Sequence, residues 1–155
     1  MSSEDTVLTR EKFNQMVEEL EHLKTTRRTE IAESLEYARS LGDLSENAEY
    51  QEARELQAAT EERIRKLEDI IKRAKIISHT KGDEIDFGSV VVIKKTDSDD
   101  KHEYTIVGSE EADMRERKIS HVSPLGSAMM GKKKGDEFTF ETPSGKQNYK
   151  IVSVK

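Results

Sequence analysis

Gly42-Asp43-Leu44-Ser45-Glu46-Asn47-Ala48-Glu49-Tyr50 separates two long helical patterns that read as near mirror images of each other. From Leu44 toward the N-terminus the stripe takes Ala38, Leu35, Ile31, Arg27, Lys24, Leu20, Val17 and Phe13. Toward the C-terminus it takes Tyr50, Ala53, Gln57, Thr60, Ile64, Leu67, Ile71 and Ala74. Both step by threes and fours, the spacing that keeps one stripe on one helix face. The turn signal Gly42-Asp43 sits at the mirror centre, and folding back there sets Ala38 opposite Tyr50, Leu35 opposite Ala53 and Ile31 opposite Gln57. The pattern predicts an antiparallel helical hairpin with Asp43 and Glu46 at its tip.

Thr9 is placed to cap the first helix, which runs to about Leu41, with Gly42 in the position that often ends a helix. At ~1.5 Å per residue such an arm is about 45 Å long. The second helix is expected from near Ser45 to about Ile77, and Met1 to Val7 reads as loose. In the middle of the seam Lys24 and Arg27 face Gln57 and Thr60, polar residues that fix register at a cost in stability. The same region admits a second reading, a basic patch of Lys24, Arg27, Arg28, Arg63, Arg65 and Lys66, diluted by Glu30, Glu61 and Glu62.

Composition suits a long seam more than one large core: 33% of the 155 residues are hydrophobic and 37% are charged. The net charge of −6 argues against a general affinity for duplex nucleic acid, while leaving local basic patches open. The absence of cysteine excludes disulfides, thiolate chemistry and the usual structural zinc sites. No apolar run approaches the length of a membrane span, and no signal-peptide pattern opens the chain, so a cytoplasmic protein is expected.

After Ser78 the pattern changes. His79 to Asp83 reads as a linker, and short apolar runs then alternate with glycine. Val90 to Ile93, Tyr104 to Val107, Phe138 to Phe140 and Tyr149 to Val154 read as strands, with Ile119 and Val122 marking a further one. Pro124 opens a short apolar helix through Gly131. The expected organisation is therefore α+β in two domains: a coiled-coil hairpin over 1–78 with its acidic tip at 42–50, and a mostly antiparallel sheet carrying one short helix over 79–155.

Two acids three residues apart at the start of a helix have a structural explanation. Asp43 as N-cap with Glu46 three positions on would satisfy first-turn amides and suit the helix dipole. The functional reading is that both carboxylates are offered to a partner, where they help hold a divalent cation or orient a water. Two carboxylates make no tight site alone, because hard cations take about six oxygen ligands. His22, His79, His102 and His121 are scattered without metal-ligand spacing.

The run Gly42 to Arg54 resembles the tip signature of the bacterial transcript cleavage factors of the GreA/GreB family. Arg27-Arg28-Thr29-Glu30-Ile31 and Arg63-Ile64 extend the resemblance along the hairpin. Ile106-Val107-Gly108, Glu111-Ala112-Asp113, Ser120, Ser123-Pro124-Leu125-Gly126, Gly131-Lys132 and Gly135-Asp136 carry it through the second half. The modest basic patch and acidic net charge are nearer the GreA branch. Met129-Met130 stands where bulkier aliphatics are common in the family, a conservative change of core residues.

The resemblance implies an FKBP-like second domain and a protein that is not itself an enzyme. The coiled coil enters the secondary channel of bacterial RNA polymerase, and Asp43 and Glu46 complete coordination of the second, weakly held Mg2+ of the polymerase. The polymerase then hydrolyses its own backtracked transcript. Asn47, Glu49 and Tyr50 are implied as tip support; Arg27, Arg28 and Arg63 as contacts to the nascent RNA 3′ segment; Ser123, Pro124 and Leu125 as the segment that docks on polymerase. A monomer without membrane attachment is expected, holding no metal independently. Prolyl isomerase activity does not follow from the fold, since this half lacks an aromatic-lined pocket pattern. Two alternatives stand beside this reading: a channel-binding inhibitor, which should have an altered tip, and a plain helical-hairpin interaction module.

Overall fold

The computed structural model describes residues 6–43, 46–79 and 82–155. The described contacts fall into two compact units, Phe13–Arg73 and the chain up to Lys12 together with Ala74–Lys155.

The first unit is the hairpin. Its leading arm comprises α1 (Arg10–His22), a π-helical turn (Leu23–Arg27) and α2 (Arg28–Ser40); its returning arm is α3 (Ala48–Arg73). The mirror centre at Leu44 and the expected helix start at Ser45 lie outside the described residues; the described chain becomes helical again only at Ala48. Behind the turn the predicted stripe is found: Ile31 and Ala38 from α2 are buried, as are Ala53, Thr60, Ile64 and Leu67 from α3.

Nearer the N-terminus the stripe departs from the reading. Met16 is buried, whereas Val17 is 39% exposed, and Leu23 rather than Lys24 turns inward. The π turn is the reason. At about 100° per residue, Leu23 in a continuous α-helix would lie roughly 80° from Ile31, and one extra residue accommodated in a wide turn brings it to within about 20°. The same slip carries Val17 off the seam. In α3, Ile70 is buried and Ile71 is half-buried.

Both ends of the predicted helices also need correction. Thr6–Thr9 is a strand, β1, and pairs in parallel with Ala74–Ile77, β2, in the register Thr6 to Ala74 through Thr9 to Ile77. Thus the described part of the N-terminal segment is ordered pairing rather than loose chain, and α3 stops at Arg73 instead of Ile77. The Thr9 cap is present: its Oγ1 accepts from Lys12 N at 3.2 Å and donates to the buried Glu111 carboxylate at 2.7 Å. Gly108 lets β1 pass close by, since a Cβ there would run into the Val7 carbonyl oxygen.

The second unit adds a five-stranded sheet of β3 (Val90–Lys95), β4 (Lys101–Val107), β5 (Lys118–Ser120), β6 (Glu137–Thr142) and β7 (Gly145–Val154). The order is β5-β4-β3-β7-β6; every neighbouring pair is antiparallel except β4 with β5. One face packs Val91, Ile93, Ile106, Ile119, Phe138, Tyr149 and Ile151 with Ile85 and Met129. The short helix α4 (Pro124–Met129) contributes Met129, which is fully buried. Burying one such apolar side chain stabilises by about 1.5–3 kcal/mol. Val122, placed with the third strand by the sequence reading, is 65% exposed beyond the end of β5.

Candidate functional site

The tip is built by two helix ends and one asparagine. Leu41 closes α2 by donating from its N–H to Ala38 O at 3.1 Å, and Gly42 follows at φ +127°, a backbone conformation that side-chain-bearing residues rarely adopt. Across the turn, Asn47 Oδ1 accepts from Tyr50 N at 3.1 Å while its carbonyl accepts from Gln51 N at 3.1 Å. That is the N-cap of α3. The Asn47 Nδ2 group donates to Ala38 O at 2.6 Å, so one side chain caps the returning helix and ties it to the last turn of the leading one. Buried Ala38 and Ala53 present almost no side-chain bulk just behind this latch.

The capping-box reading of Asp43 and Glu46 therefore fails, because α3 begins at Ala48 and Asn47 holds the cap position. Asp43 and Glu46 are both exposed on either side of the turn. Glu49 is exposed in the first turn of α3 and Tyr50 is half-buried. Glu49 also borders a small groove of about 260 Å³ between α2 and α3, with Tyr37, Glu52 and Leu56. Asn47 was named as support by resemblance alone, and its cap role had a readable signal: Asn followed by a helical run is a strong start.

Along the arms, the three arginines are engaged with carboxylates. Arg28 makes a two-pronged bridge to Glu61 at 2.8 and 2.9 Å, and Arg63 a matching one to Glu19 at 2.8 and 2.9 Å. Arg27 meets Glu30 at 3.0 Å on its own helix, and Lys24 meets Glu68 at 3.2 Å. The Arg28 hydrogen bonds hold the Glu61 carboxyl below its ordinary range, and the same bonds raise Arg28. Pairs that cross between arms at the flanks of a seam favour one register over others.

In the second unit, Ser123 is the N-cap of α4: its Oγ accepts from Gly126 N at 3.0 Å and donates to Ser120 O at 2.7 Å. Pro124 follows as the first helical residue and is exposed, while Leu125 packs against the core. These three line an apolar groove of about 460 Å³ with Met114, Ile119, Phe140 and Pro143; Met114 is 60% exposed.

The histidines are dispersed: His22 is exposed, His79 Nδ1 lies 3.1 Å from Phe87 O, His102 stacks on Tyr104, and His121 meets Phe87 edge-on. Among the described residues no group of three metal-binding side chains is gathered. No described helix is long and apolar enough to cross a membrane.

Comparison with known proteins agrees along the whole chain. Residues 6–76 match the family described as Transcription elongation factor, N-terminal, and residues 79–155 match Transcription elongation factor, GreA/GreB, C-term. The chain is 48% identical to the transcription elongation factor GreA of Clostridium acetobutylicum, covering 96% of each. It is 44% identical to that of Thermoanaerobacter pseudethanolicus, covering 99% of each. Among solved structures, GreA factor homolog 1 of Thermus thermophilus is 29% identical over 97% of this chain and 99% of that one, with a TM-score of 0.45. With two family matches spanning nearly every residue and relatives this similar end to end, the chain belongs to the GreA/GreB family of transcription elongation factors.

Proposed function

We propose that this chain rescues arrested transcription by stimulating RNA polymerase to cleave backtracked nascent RNA, acting through Asp43 and Glu46. The observation that carries this reading is the division of labour at the tip. Asn47, not an acid, caps α3 and latches the arms, and Asp43 and Glu46 are both exposed at the end of a hairpin braced from behind. The chemistry of the pair fits a shared Mg2+: two carboxylates are too few for a hard cation alone, yet they suit the open positions of an ion already held by a partner. Bound there, such an ion stabilises the attacking and leaving oxygens of a phosphodiester. In this reading Asp43 and Glu46 supply oxygen ligands and accept a hydrogen bond from the attacking water. Asn47, Glu49 and Tyr50 hold the turn in place.

The apolar groove at Ser123, Pro124 and Leu125 suits docking on polymerase, where Pro124 and Met114 would lose water. Arg27, Arg28 and Arg63 are already partly neutralised by carboxylates, so their contribution to holding RNA phosphates should be modest and salt-sensitive. The chain acts as a monomer in the cytoplasm and lends ligands to another enzyme's site. Incubation with a deliberately backtracked bacterial elongation complex and Mg2+ tests this: short 3′ RNA fragments should be released only when the protein is added. Occupation of polymerase without cleavage would make it an inhibitor or a docking module.

A further inference from the structure

We propose that the outer face of the C-terminal sheet binds the phosphate backbone of duplex nucleic acid through Lys94, Lys101, Lys134 and Lys150. Lys94 stands directly opposite Lys101 on β4 and opposite Lys150 on β7, so three lysines form one rung across three strands. Their neighbours Ile93 and Ile151 point into the core, which by strand alternation turns Lys94 and Lys150 to the other face. At about 4.8 Å per strand, the rung spans roughly 10 Å. Lys134 joins it from the turn before β6, where Gly135 N donates to Ile151 O at 2.9 Å. The register shift between β3 and β7 leaves Val152 as an extra residue beside the rung. Together these shape an open groove of about 340 Å³.

Like charges directly opposite one another destabilise a sheet. Among the described residues none of the four lysines has an ion-pair partner. The bordering acids are Glu137, opposite Lys150 on β6; Glu103, two residues along from Lys101; Asp99 and Asp100, just before Lys101; and Asp136 in the Lys134 turn, whose carboxylate accepts from Lys133 N at 2.8 Å. Charge is divided unevenly along the chain: residues 13–73 hold ten Lys and Arg against fifteen Asp and Glu, whereas residues 74–155 hold fourteen of each. The rung is therefore a cationic row in a stretch of chain with no net charge, whereas the acidic hairpin dominates the charge of the whole. An anion repeated along a line relieves all three lysines at once. No aromatic side chain lines the groove, and single-strand binders rely on aromatic platforms for stacking; backbone contact to a duplex, blind to sequence, is what remains.

The test uses the full chain and a labelled random-sequence DNA duplex, with anisotropy titrations over a range of salt. Replacing Lys94, Lys101 and Lys150 together by Gln should weaken binding and flatten the dependence of log Kd on log salt by about 0.9 per lysine removed. The matching change to Arg should retain binding. The Gln variant should melt at the same or a higher temperature, because the repulsion is gone. Substituting the exposed Lys72 and Lys75, which lie off the rung, by Gln should leave the slope intact. Absence of duplex binding at low salt, an unchanged slope in the rung Gln variant, an equal loss of slope in the Lys72 and Lys75 variant, or equal affinity for a single strand would each overturn the proposal. None of these readouts involves RNA cleavage, so the proposal and the tip mechanism fail independently.

Discussion

Replacing Asn47 by Ala should loosen the tip without touching either exposed acid. The side chain makes two separable contributions: Oδ1 caps α3 through Tyr50 N, and Nδ2 donates to Ala38 O. Loss of an Asn cap costs about 1 kcal/mol, within a range of roughly 0.5–2. Loss of one hydrogen bond costs about 0.5–1.5 kcal/mol. Ala38 O keeps the bond from Leu41 N, so it is not orphaned and the lower half of that range applies. The sum is about 2 kcal/mol, which for a chain of this length is a fall in Tm of roughly 4–8 °C. Asn47→Asp separates the parts. Asp caps as well as Asn, so only the bond to Ala38 is lost, and the fall should be about half as large. Helix-sensitive thermal melts read this directly. Cleavage assayed well below the melt should drop in both variants, because Asp43 and Glu46 lose a fixed turn. An unchanged Tm in Asn47→Ala would refute the latch, and full cleavage by both variants would refute its positioning role.

Three further outcomes follow from the packing and the charges. Met16→Ala should destabilise by about 2–5 kcal/mol and Val17→Ala by well under that, as urea unfolding would show; the reverse order would place the stripe where an uninterrupted α-helix puts it. Gly108→Ala should cost about 1–3 kcal/mol, since its Cβ meets the Val7 carbonyl oxygen and the backbone must shift; a neutral effect on Tm would contradict that close approach. Glu61→Gln should lower Tm slightly at neutral pH. Because Arg28 favours the ionised form and holds the folded-state pKa of Glu61 below its ordinary value, the bridge contributes above the ordinary carboxylate value near 4.5 and is lost as pH falls through the lowered one. The gap between the two proteins should therefore close on acidification, and a widening gap would reject the assignment.

The hairpin was legible because Ala53, Ile64 and Leu67 on one arm and Ile31 and Ala38 on the other are spaced by the helix itself. The strands around Val91, Ile106 and Tyr149 were legible for the same local reason, as were the Thr9 cap and the Pro124 helix start. The β1–β2 pair was not. Its strands are four residues each, the whole hairpin separates them in sequence, and Ala74-Lys75-Ile76-Ile77 continues the helical apolar period of α3 without a break. The π turn likewise has no local signature in Leu23-Lys24-Thr25-Thr26-Arg27, and the three-and-four spacing runs straight through it. At the tip, Asp43 and Asn47 were both good caps by type, and only the helix start at Ala48 separates them. The lysine rung depends on the register of three strands, which no single stretch of sequence encodes.

The tip acids serve either a partner or their own helix, and one measurement separates the two. The measurement is cleavage of a backtracked elongation complex by the unmodified protein and by Asp43→Asn and Glu46→Gln, with Tm and displacement from polymerase recorded for each. Both variants should keep their Tm and their hold on polymerase while fragment release is lost, because Asn47 and not Asp43 caps α3. Retained cleavage accompanied by a clearly lowered Tm would contradict the account and return both carboxylates to a structural role.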